Sequence, residues 1–247
     1  MHEPYQKRIP GADCAILFVH GILGSPDHFT PLMPLVPEGV TVVNLLLDGH
    51  GKSVRDFSRS RMRIWQKQVT DAVEELAASH QKVFVVAHSM GTLLALNAAA
   101  ETGNVTELFL LALPIRLSLR FRLLSNMMKV FFNRISPEDE AAMASRDACS
   151  ITLSKNVFLY IGWIPRYLEL FRKIDRTRSL LPGLSVPATV FQSAMDEMVS
   201  PASVPYLKDK TNFTLHLLEN SEHYRYSPED LERILRSFSE MLERHTH

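Results

Sequence analysis

The stretch from Lys82 to Ala100, KVFVVAHSMGTLLALNAAA, constrains the fold of this chain more than any other segment. It begins with a run of valine and phenylalanine, which is typical of a parallel strand covered on both faces. From Met90 it continues with leucine and alanine, which predicts a helix that is apolar on nearly every side and therefore buried. Ser89 stands between the two parts. The stretch therefore predicts a buried strand, a sharp turn that presents a serine, and a buried helix.

The turn around Ser89 has the context of a nucleophile elbow, the G-x-S-x-G motif in which small residues allow a sharp turn and the serine hydroxyl projects from the sheet. Here the motif is A-H-S-M-G, with Ala87 in place of the first glycine. Alanine is small enough for the turn, although its Cβ restricts the backbone angles. Serine between small residues also occurs in loops and helix caps. The preceding strand and the following helix favour the catalytic interpretation.

Strands and helices alternate along most of the chain. Apolar runs predict strands at residues 14–19, 40–47, 82–86, 105–113, 188–194 and 213–218. Helical periodicity predicts a helix over 61–79 and a final helix that Ser227 caps and that ends near Glu243. This alternation predicts an α/β fold with a mostly parallel sheet of about six strands and helices on both faces. The short N-terminus leaves little room for an antiparallel hairpin ahead of these strands.

The alternation stops between residues 114 and 182. The segment is too long for a simple crossover and too apolar for a disordered linker, so we expect a helical cap inserted into a core of residues 1–113 and 183–247. Its first part, residues 116–134, contains arginine and lysine but no acidic residue. A basic amphipathic helix can lie on an anionic membrane surface. The alternative, which we favour, is a lid whose apolar face covers a pocket and whose arginines are solvated.

Composition excludes several classes of protein. Lysine plus arginine and aspartate plus glutamate number 27 each, so no net charge favours a nucleic-acid partner. The cysteines, Cys14 and Cys149, give no disulfide framework. The polar N-terminus lacks the apolar core of a secretory signal, and no stretch reaches the roughly 18 apolar residues of a membrane span. We therefore expect a cytoplasmic protein, whose oligomeric state the sequence leaves open.

Four further segments carry a resemblance to a known family. They are FVHGILGSP at 18–26, DGHGKS at 48–53, DEMVSP at 196–201 and SEH at 221–223. Together with the elbow, they make the chain resemble the α/β-hydrolases, and more narrowly the small bacterial carboxylesterases and monoacylglycerol-lipase-like enzymes. The resemblance implies the α/β-hydrolase fold and the order nucleophile, acid, histidine, which Ser89, Asp196 and His223 follow. Ala87, Ser193 and Glu222 depart from the family pattern, because each stands where the family has glycine.

A serine hydroxyl needs a base within hydrogen-bond reach and an acid that orients the base. We expect His223 to be the base because it follows the last strand. His20 and His88 are rivals, but we expect His20 to organise its own loop and His88 to point away from the nucleophile. Asp196 is preferred to Glu197 because it takes the family position and its shorter side chain suits a fixed contact. The alternative is that Asp196 only caps the following turn.

The remaining site predictions concern the oxyanion and the substrate. The backbone amides of Ile22 and Met90 are expected to bind the oxyanion. We predict that an apolar pocket is lined by Leu23, Phe29, Met127, Phe131 and Trp163. The histidines lack the spacing of metal ligands, so we expect neither a metal nor another cofactor.

The expected function is that of a serine carboxylesterase or monoacylglycerol-type lipase that hydrolyses a small apolar ester through an acyl-enzyme. A thioesterase, an acyltransferase or another reaction of the same triad stays open, because these reactions share the acyl-enzyme chemistry and differ in specificity. A non-catalytic receptor with the hydrolase fold is a third interpretation, against which the presence of all three triad residues argues.

Overall fold

The computed structural model describes the backbone of residues 2–117 and 140–245 and the side chains of residues 2–117 and 143–245. One seven-stranded sheet lies at its centre. The strands are β1 (Tyr5–Lys7), β2 (Cys14–Val19), β3 (Thr41–Leu45), β4 (Lys82–His88), β5 (Glu107–Leu111), β6 (Ala188–Ser193) and β7 (Phe213–Leu218). Their order across the sheet is β1-β3-β2-β4-β5-β6-β7. Strands β2 to β7 run parallel, whereas β1 pairs antiparallel with β3.

The six predicted strands are all present, and β1 is an addition that the sequence did not reveal. Tyr5 and Gln6 are exposed and Lys7 is half-buried, so β1 has no apolar run to mark it. It forms because its backbone pairs with residues 42–44 at the edge of the sheet. The N-terminus therefore does contribute an antiparallel strand, although it pairs with β3 and forms no hairpin with β2.

Helices cover both faces of the sheet, as predicted. They are α1 (Val54–Arg59), α2 (Met62–Ala77), α3 (Met90–Thr102), α4 (Glu140–Ala148), α5 (Ile164–Leu180), α6 (Pro205–Lys208) and α7 (Pro228–Glu243). Short 3-10 helices lie at Pro26–Phe29, Met33–Leu35, Val157–Trp163, Leu181–Gly183 and Pro201–Ser203. Within the described ranges, no helix combines the length and the apolarity that crossing a membrane requires.

Helix α3 follows the central strand and is enclosed on every side. The residues from Met90 to Ala99 are all buried. Helices α2 and α5 pack against α3, and the Nδ2 atom of Asn97 donates a hydrogen bond of 2.7 Å to the hydroxyl of Thr177 in α5. This enclosure explains why the sequence of α3 has no polar face.

The opposite face of the sheet is covered by α7 over an aromatic cluster. Phe238 has no exposed surface, and its ring centroid lies 6.3 Å from that of Phe18 and 5.6 Å from that of Phe109. Ser227 accepts a hydrogen bond from the Asp230 amide and so caps α7, as its sequence predicted. The loop that precedes α7 is thereby held at the carboxyl end of the sheet.

The described part of the 114–182 segment contacts the rest of the protein through aromatic rings and backbone hydrogen bonds. The ring of Trp163 lies 5.0 Å from that of Phe57, and its Nε1 atom donates to the Val54 carbonyl at 3.3 Å. The Ser150 amide donates to the Leu23 carbonyl at 2.7 Å. These contacts tie the segment to α1 and to the loop after β2. Its division from the core as a separate cap stays a prediction.

Substitution of Phe238 by alanine should lower the free energy of unfolding by about 3–5 kcal/mol, because it empties a fully enclosed aromatic site. Leu217→Ala is the control, since Leu217 is 44% exposed and should change stability by no more than about 0.5 kcal/mol. Urea unfolding of both variants checks the prediction. Equal losses in the two variants would contradict the placement of α7.

Candidate active site

Three side chains meet at the carboxyl end of the sheet. Ser89 follows β4, Asp196 follows β6 and His223 follows β7. The Nε2 atom of His223 lies 3.0 Å from the Ser89 Oγ, and its Nδ1 atom lies 2.8 Å from the Asp196 Oδ2. Asp196 and His223 have no exposed surface, and Ser89 retains 5%. The structure therefore joins the three predicted residues in one buried chain of hydrogen bonds.

Ser89 adopts a backbone conformation that few residues other than glycine adopt. Its φ is 51° and its ψ is −123°, which costs of the order of 1–3 kcal/mol. Its amide donates to the Leu111 carbonyl at 2.9 Å and its carbonyl accepts from the Thr92 amide at 2.9 Å, so both sides of the turn are fixed. Ala87, by contrast, lies within β4 and pairs regularly with Val19. Since the positive φ falls on Ser89, alanine replaces the usual glycine at position 87 without strain.

Two glycines allow the close approach on which the turn depends. A Cβ on Gly91 would clash with the carbonyl oxygens of Val19 and His20, where α3 begins against the end of β2. A Cβ on Gly21 would lie 2.9 Å from the Cβ of Ser89. The elbow and the loop after β2 therefore touch backbone to backbone.

Asp196 presents one carboxylate oxygen to the histidine and the other to its own turn. Its Oδ1 accepts hydrogen bonds from the Met198 and Val199 amides, both at 2.7 Å. Its Oδ2 accepts from His223. The residue thus caps the turn and orients the imidazole at once. Ser193 and Glu222, the other departures from glycine, have no positive φ, so neither position requires glycine.

The buried pair of Asp196 and His223 shifts both pKa values in the direction that favours the ion pair. Burial alone would raise the pKa of Asp196, but the charge of His223 and the hydrogen bonds to the carboxylate outweigh burial and lower it. Burial alone would lower the pKa of His223, but the charge and hydrogen bond of Asp196 and the charge of Glu197 raise it. The imidazole is therefore a stronger base than an ordinary histidine.

Glu197 supports the histidine, a role that the sequence did not suggest. Its Oε2 accepts a hydrogen bond of 3.1 Å from the His223 amide, and the side chain is buried. The sequence interpretation treated Glu197 only as a rival to Asp196. The sequence did contain one sign of this role, because Glu197 is a second carboxylate directly after Asp196 and can therefore act on the same histidine.

Asp230 fixes the loop that carries His223. Its Oδ2 accepts from the Ser221 hydroxyl at 2.7 Å and from the Asn220 amide at 3.2 Å. The Ser227 amide in turn donates to the Ser221 hydroxyl at 3.2 Å. Because Asp230 lies in the first turn of α7, these bonds tie the histidine loop to a rigid element. The capping pattern S-P-E-D signalled the helix start but gave no sign of this second role.

The rival histidines hold loops in place. The Leu47 amide donates to the Nε2 of His20 at 3.0 Å, and the Nδ1 lies 2.8 Å from the Gly21 carbonyl, so the ring organises its loop. The Nε2 of His88 lies 3.1 Å from the carbonyl of His223, beneath the base and not on Ser89. Burial lowers the pKa of His20 to about 4 and also lowers that of His88. Within residues 2–117 and 140–245, no three potential ligands are arranged to hold a metal ion.

The oxyanion donors predicted from the sequence are the backbone amides of Ile22 and Met90. Met90 is the first residue of α3, where an amide has no acceptor within its own helix. In the loop after β2, the Leu23 amide donates to His50 at 3.2 Å and the Gly24 amide to the Gly21 carbonyl at 3.1 Å. These bonds fix the loop that carries Ile22. The role of the Ile22 and Met90 amides as oxyanion donors stays a prediction.

The predicted substrate residues have different surroundings. Phe29 has no exposed surface and packs against Phe18 at 5.1 Å, because its 3-10 turn faces the sheet. Trp163 packs on α1, as described above. Both side chains therefore pack against aromatic neighbours, and their contact with a substrate stays a prediction. Leu23 is partly exposed beside the elbow loop, whereas Met127 and Phe131 lie outside the described residues.

The chain was compared with known protein families, curated proteins and solved structures. The model of a family described as the alpha/beta hydrolase family matches residues 16–236. A search of curated proteins gave no match.

Solved structures of lipolytic enzymes share the fold. A metagenome-derived lipolytic enzyme has 22% sequence identity and a TM-score of 0.71, with coverage of 97% of this chain and 98% of the other. The monoacylglycerol lipase of Paleococcus ferrophilus has 16% identity, a TM-score of 0.70 and coverage of 98% and 99%. A soluble variant of monoglyceride lipase from Saccharomyces cerevisiae, bound to a substrate analog, has 16% identity, a TM-score of 0.67 and coverage of 98% and 90%.

The charge of Glu197 predicts the titration of His223. We expect a pKa above the ordinary value of 6.5 in the native protein and a lower pKa in Glu197→Gln, because the substitution removes a negative charge that stabilises the imidazolium. Imidazole resonances followed by NMR across pH measure both values. Glu219→Gln, an exposed change in the same loop, should leave the pKa unaltered. A native pKa below 6.5 would contradict the description of the site.

Proposed function

This chain belongs to the alpha/beta hydrolase family, and we propose that it is a serine hydrolase that cleaves apolar carboxylic esters through an acyl-enzyme. The observation that carries the proposal is the hydrogen-bonded chain from Ser89 through His223 to Asp196, with separations of 3.0 and 2.8 Å. Nucleophile, base and orienting acid then have the geometry that acyl transfer requires.

In the acylation step, the Nε2 of His223 accepts the hydroxyl proton of Ser89 while Oγ attacks the ester carbonyl carbon. Asp196 holds the Nδ1–H and stabilises the imidazolium that forms. The negative charge develops on the carbonyl oxygen, where the amides of Ile22 and Met90 donate to it. The tetrahedral intermediate then collapses, and the leaving alkoxide takes the proton from Nε2 and departs as the alcohol.

In the deacylation step, water replaces the alcohol. His223 accepts a proton from the water molecule as its oxygen attacks the acyl carbonyl carbon, and the same two amides stabilise the second oxyanion. The intermediate expels the Ser89 oxygen, which regains its proton from Nε2. The products are a carboxylic acid and the original enzyme, so atoms and protons balance without a cofactor.

The described part of the 114–182 segment, which we propose to be a cap, exposes an apolar stripe. Phe158 is 75% exposed, and Ile161, Ile164, Leu168 and Phe171 continue the same apolar stripe at helical spacing. Exposed apolar patches of this kind mark sites where apolar partners bind. The structural neighbours named above as lipases and lipolytic enzymes agree with this class.

Residues 116–134, which contain basic but no acidic side chains, are proposed to be a lid, and Arg116 supports that interpretation. Its Nη2 atom donates to the Tyr206 hydroxyl at 2.7 Å, and its guanidinium lies 5.5 Å from the centre of the same ring. This arginine is exposed, as a solvated arginine of a lid would be, and it contacts Tyr206 of the same chain. The other basic residues of the segment lie outside the described residues, so the membrane alternative stays a prediction.

Ser89→Ala should reduce the kcat for ester hydrolysis by about 10⁴-fold or more, because no other group in the chain of hydrogen bonds can form the acyl-enzyme. The variant should also lose labelling by a fluorophosphonate probe. Ser239→Ala, on α7, is the control and should retain both activities. Hydrolysis of p-nitrophenyl esters measures the change, and an unaltered rate in Ser89→Ala would overturn the choice of nucleophile.

Esters with longer acyl chains should have a higher kcat/KM if the acyl pocket is apolar. Each additional buried methylene contributes about 0.8 kcal/mol, or roughly fourfold, until the pocket is full. A series of p-nitrophenyl esters from acetate upward measures this dependence, and matched thioesters run beside it separate the two reactions. A preference for acetate would contradict an apolar acyl site, and faster thioester cleavage would favour the thioesterase alternative.

A further inference from the structure

Leu23, in the loop after β2, adopts a backbone conformation that leucine rarely takes. The Gly24 amide donates to the Gly21 carbonyl at 3.1 Å and closes a four-residue turn, in which Leu23 is the third residue. Its φ is 60°, the pattern of a type II turn, where this position usually holds glycine. A leucine keeps this conformation only where its surroundings hold it. Since Leu23 directly follows Ile22, the contacts that hold Leu23 also restrain the Ile22 amide.

Ser150 holds the carbonyl side of this turn, although it lies 127 residues after Leu23. Its amide donates to the Leu23 carbonyl at 2.7 Å. Its hydroxyl donates to the Gly24 carbonyl at 2.7 Å and lies 3.1 Å from the Leu23 carbonyl. The Gly51 amide donates to the same hydroxyl oxygen at 3.2 Å, and Ser150 is only 4% exposed. The Ser150 hydroxyl therefore joins the turn to the loop after β3.

The loop after β3 also holds the amide side of the turn, through His50. The Leu23 amide donates to the Nε2 of His50 at 3.2 Å, and the Nδ1 lies 3.2 Å from the Leu47 carbonyl, so the ring carries its proton on Nδ1. Burial lowers the pKa of His50 well below its ordinary value, and the ring therefore stays neutral at neutral pH. Leu23 is thus held on both sides, by His50 at its amide and by Ser150 at its carbonyl.

We propose that Ser150 is a positioning residue, whose hydroxyl fixes the turn at residues 21–24 so that the Ile22 amide points at the oxyanion. This role rests on the function proposed above, in which Ile22 and Met90 supply the two donors. Ser150 acts through the backbone of the turn and is not itself a catalytic residue. Oxyanion donors are effective because they are in place before the charge develops, and a displacement of about 1 Å can cost about 10²-fold in rate.

Ser203 provides a matched control. It has no exposed surface, and its hydroxyl accepts from the Arg116 amide at 2.9 Å and donates to the Arg116 carbonyl at 3.2 Å. Like Ser150, it is a buried serine whose hydroxyl accepts one main-chain hydrogen bond, donates another and connects the 114–182 segment to the rest of the protein. Removal of either hydroxyl should therefore lower Tm by a similar amount. Of the two serines, Ser150 is the one that contacts the turn that carries Ile22.

Hydrolysis of a p-nitrophenyl ester by the wild type, Ser150→Ala and Ser203→Ala tests this role. We expect Ser150→Ala to have a kcat about 10- to 100-fold lower, because the displaced amide stabilises the oxyanion less. Its KM should stay within about twofold of the wild type, since the substrate carbonyl carries little charge before the attack. Ser203→Ala should keep both constants within about twofold. The pKa of His223 measured by NMR should be the same in all three proteins, because neither substitution changes a charge.

An alkyl trifluoromethyl ketone reports on the oxyanion itself. The Ser89 oxygen bonds to its carbonyl carbon, the hydroxyl proton moves to His223, and the negative charge stays on the former carbonyl oxygen. The inhibition constant should rise in Ser150→Ala by the factor by which kcat/KM falls, since both measure stabilisation of the same oxygen. Ser203→Ala should leave this constant unchanged. Ser150→Cys, which retains a weaker donor, should fall between the wild type and Ser150→Ala in both measurements, and it serves if Ser150→Ala does not fold.

Equal kcat values in Ser150→Ala and Ser203→Ala would overturn the role of Ser150, and so would an unchanged inhibition constant in Ser150→Ala or Ser150→Cys. If the wild type cleaves the ester, either result leaves the proposed hydrolase function intact. A wild type that neither cleaves esters nor reacts with a fluorophosphonate would overturn the proposed function and this role together. A shifted His223 pKa in Ser150→Ala would show that the substitution disturbs the base, and it would contradict a role at the oxyanion.

Discussion

The close approach between the end of β2 and the first turn of α3 is the contact on which the rest of the site depends. Gly91 allows the helix backbone to meet the carbonyls of Val19 and His20, and Gly21 allows the next loop to pass over Ser89. These contacts hold the serine at a φ of 51°, which the chain would not adopt in isolation. The sheet and α5 both pack on α3, so the helix that follows the strained turn is held in place.

The base is fixed by a second set of constraints, at the other side of the serine. Asp196 orients the ring of His223, Glu197 and His88 bind its backbone, and Asp230 holds the preceding loop to α7. Each of these groups lies at the carboxyl end of a strand or in the first turn of a helix. The sheet thus fixes the positions of these side chains more rigidly than loops alone could. Catalytic side chains require such fixed positions.

Much of this architecture follows from local sequence. Apolar runs marked the six parallel strands, since both faces are covered in the inner strands, whereas the edge strand β7 is partly exposed. The residues after β4, β6 and β7 were brought together because parallel strands end at one edge. The strand β1 was missed because it is polar and depends on its partner's backbone. The roles of Glu197 and Asp230 depend on contacts across 26 and 9 residues, which no local pattern encodes. A pocket role of Phe29 and Trp163 could not be told from core packing, because apolar side chains look alike in sequence, whether they line a cavity or fill a core.

A crystal structure with a phosphonate bound covalently to Ser89 would show the site at work, since the phosphonyl oxygen occupies the position of the oxyanion. We expect this oxygen to lie within about 3 Å of the amides of Ile22 and Met90, with His223 still bonded to Asp196. An adduct on another residue, or a phosphonyl oxygen that points away from both amides, would contradict it.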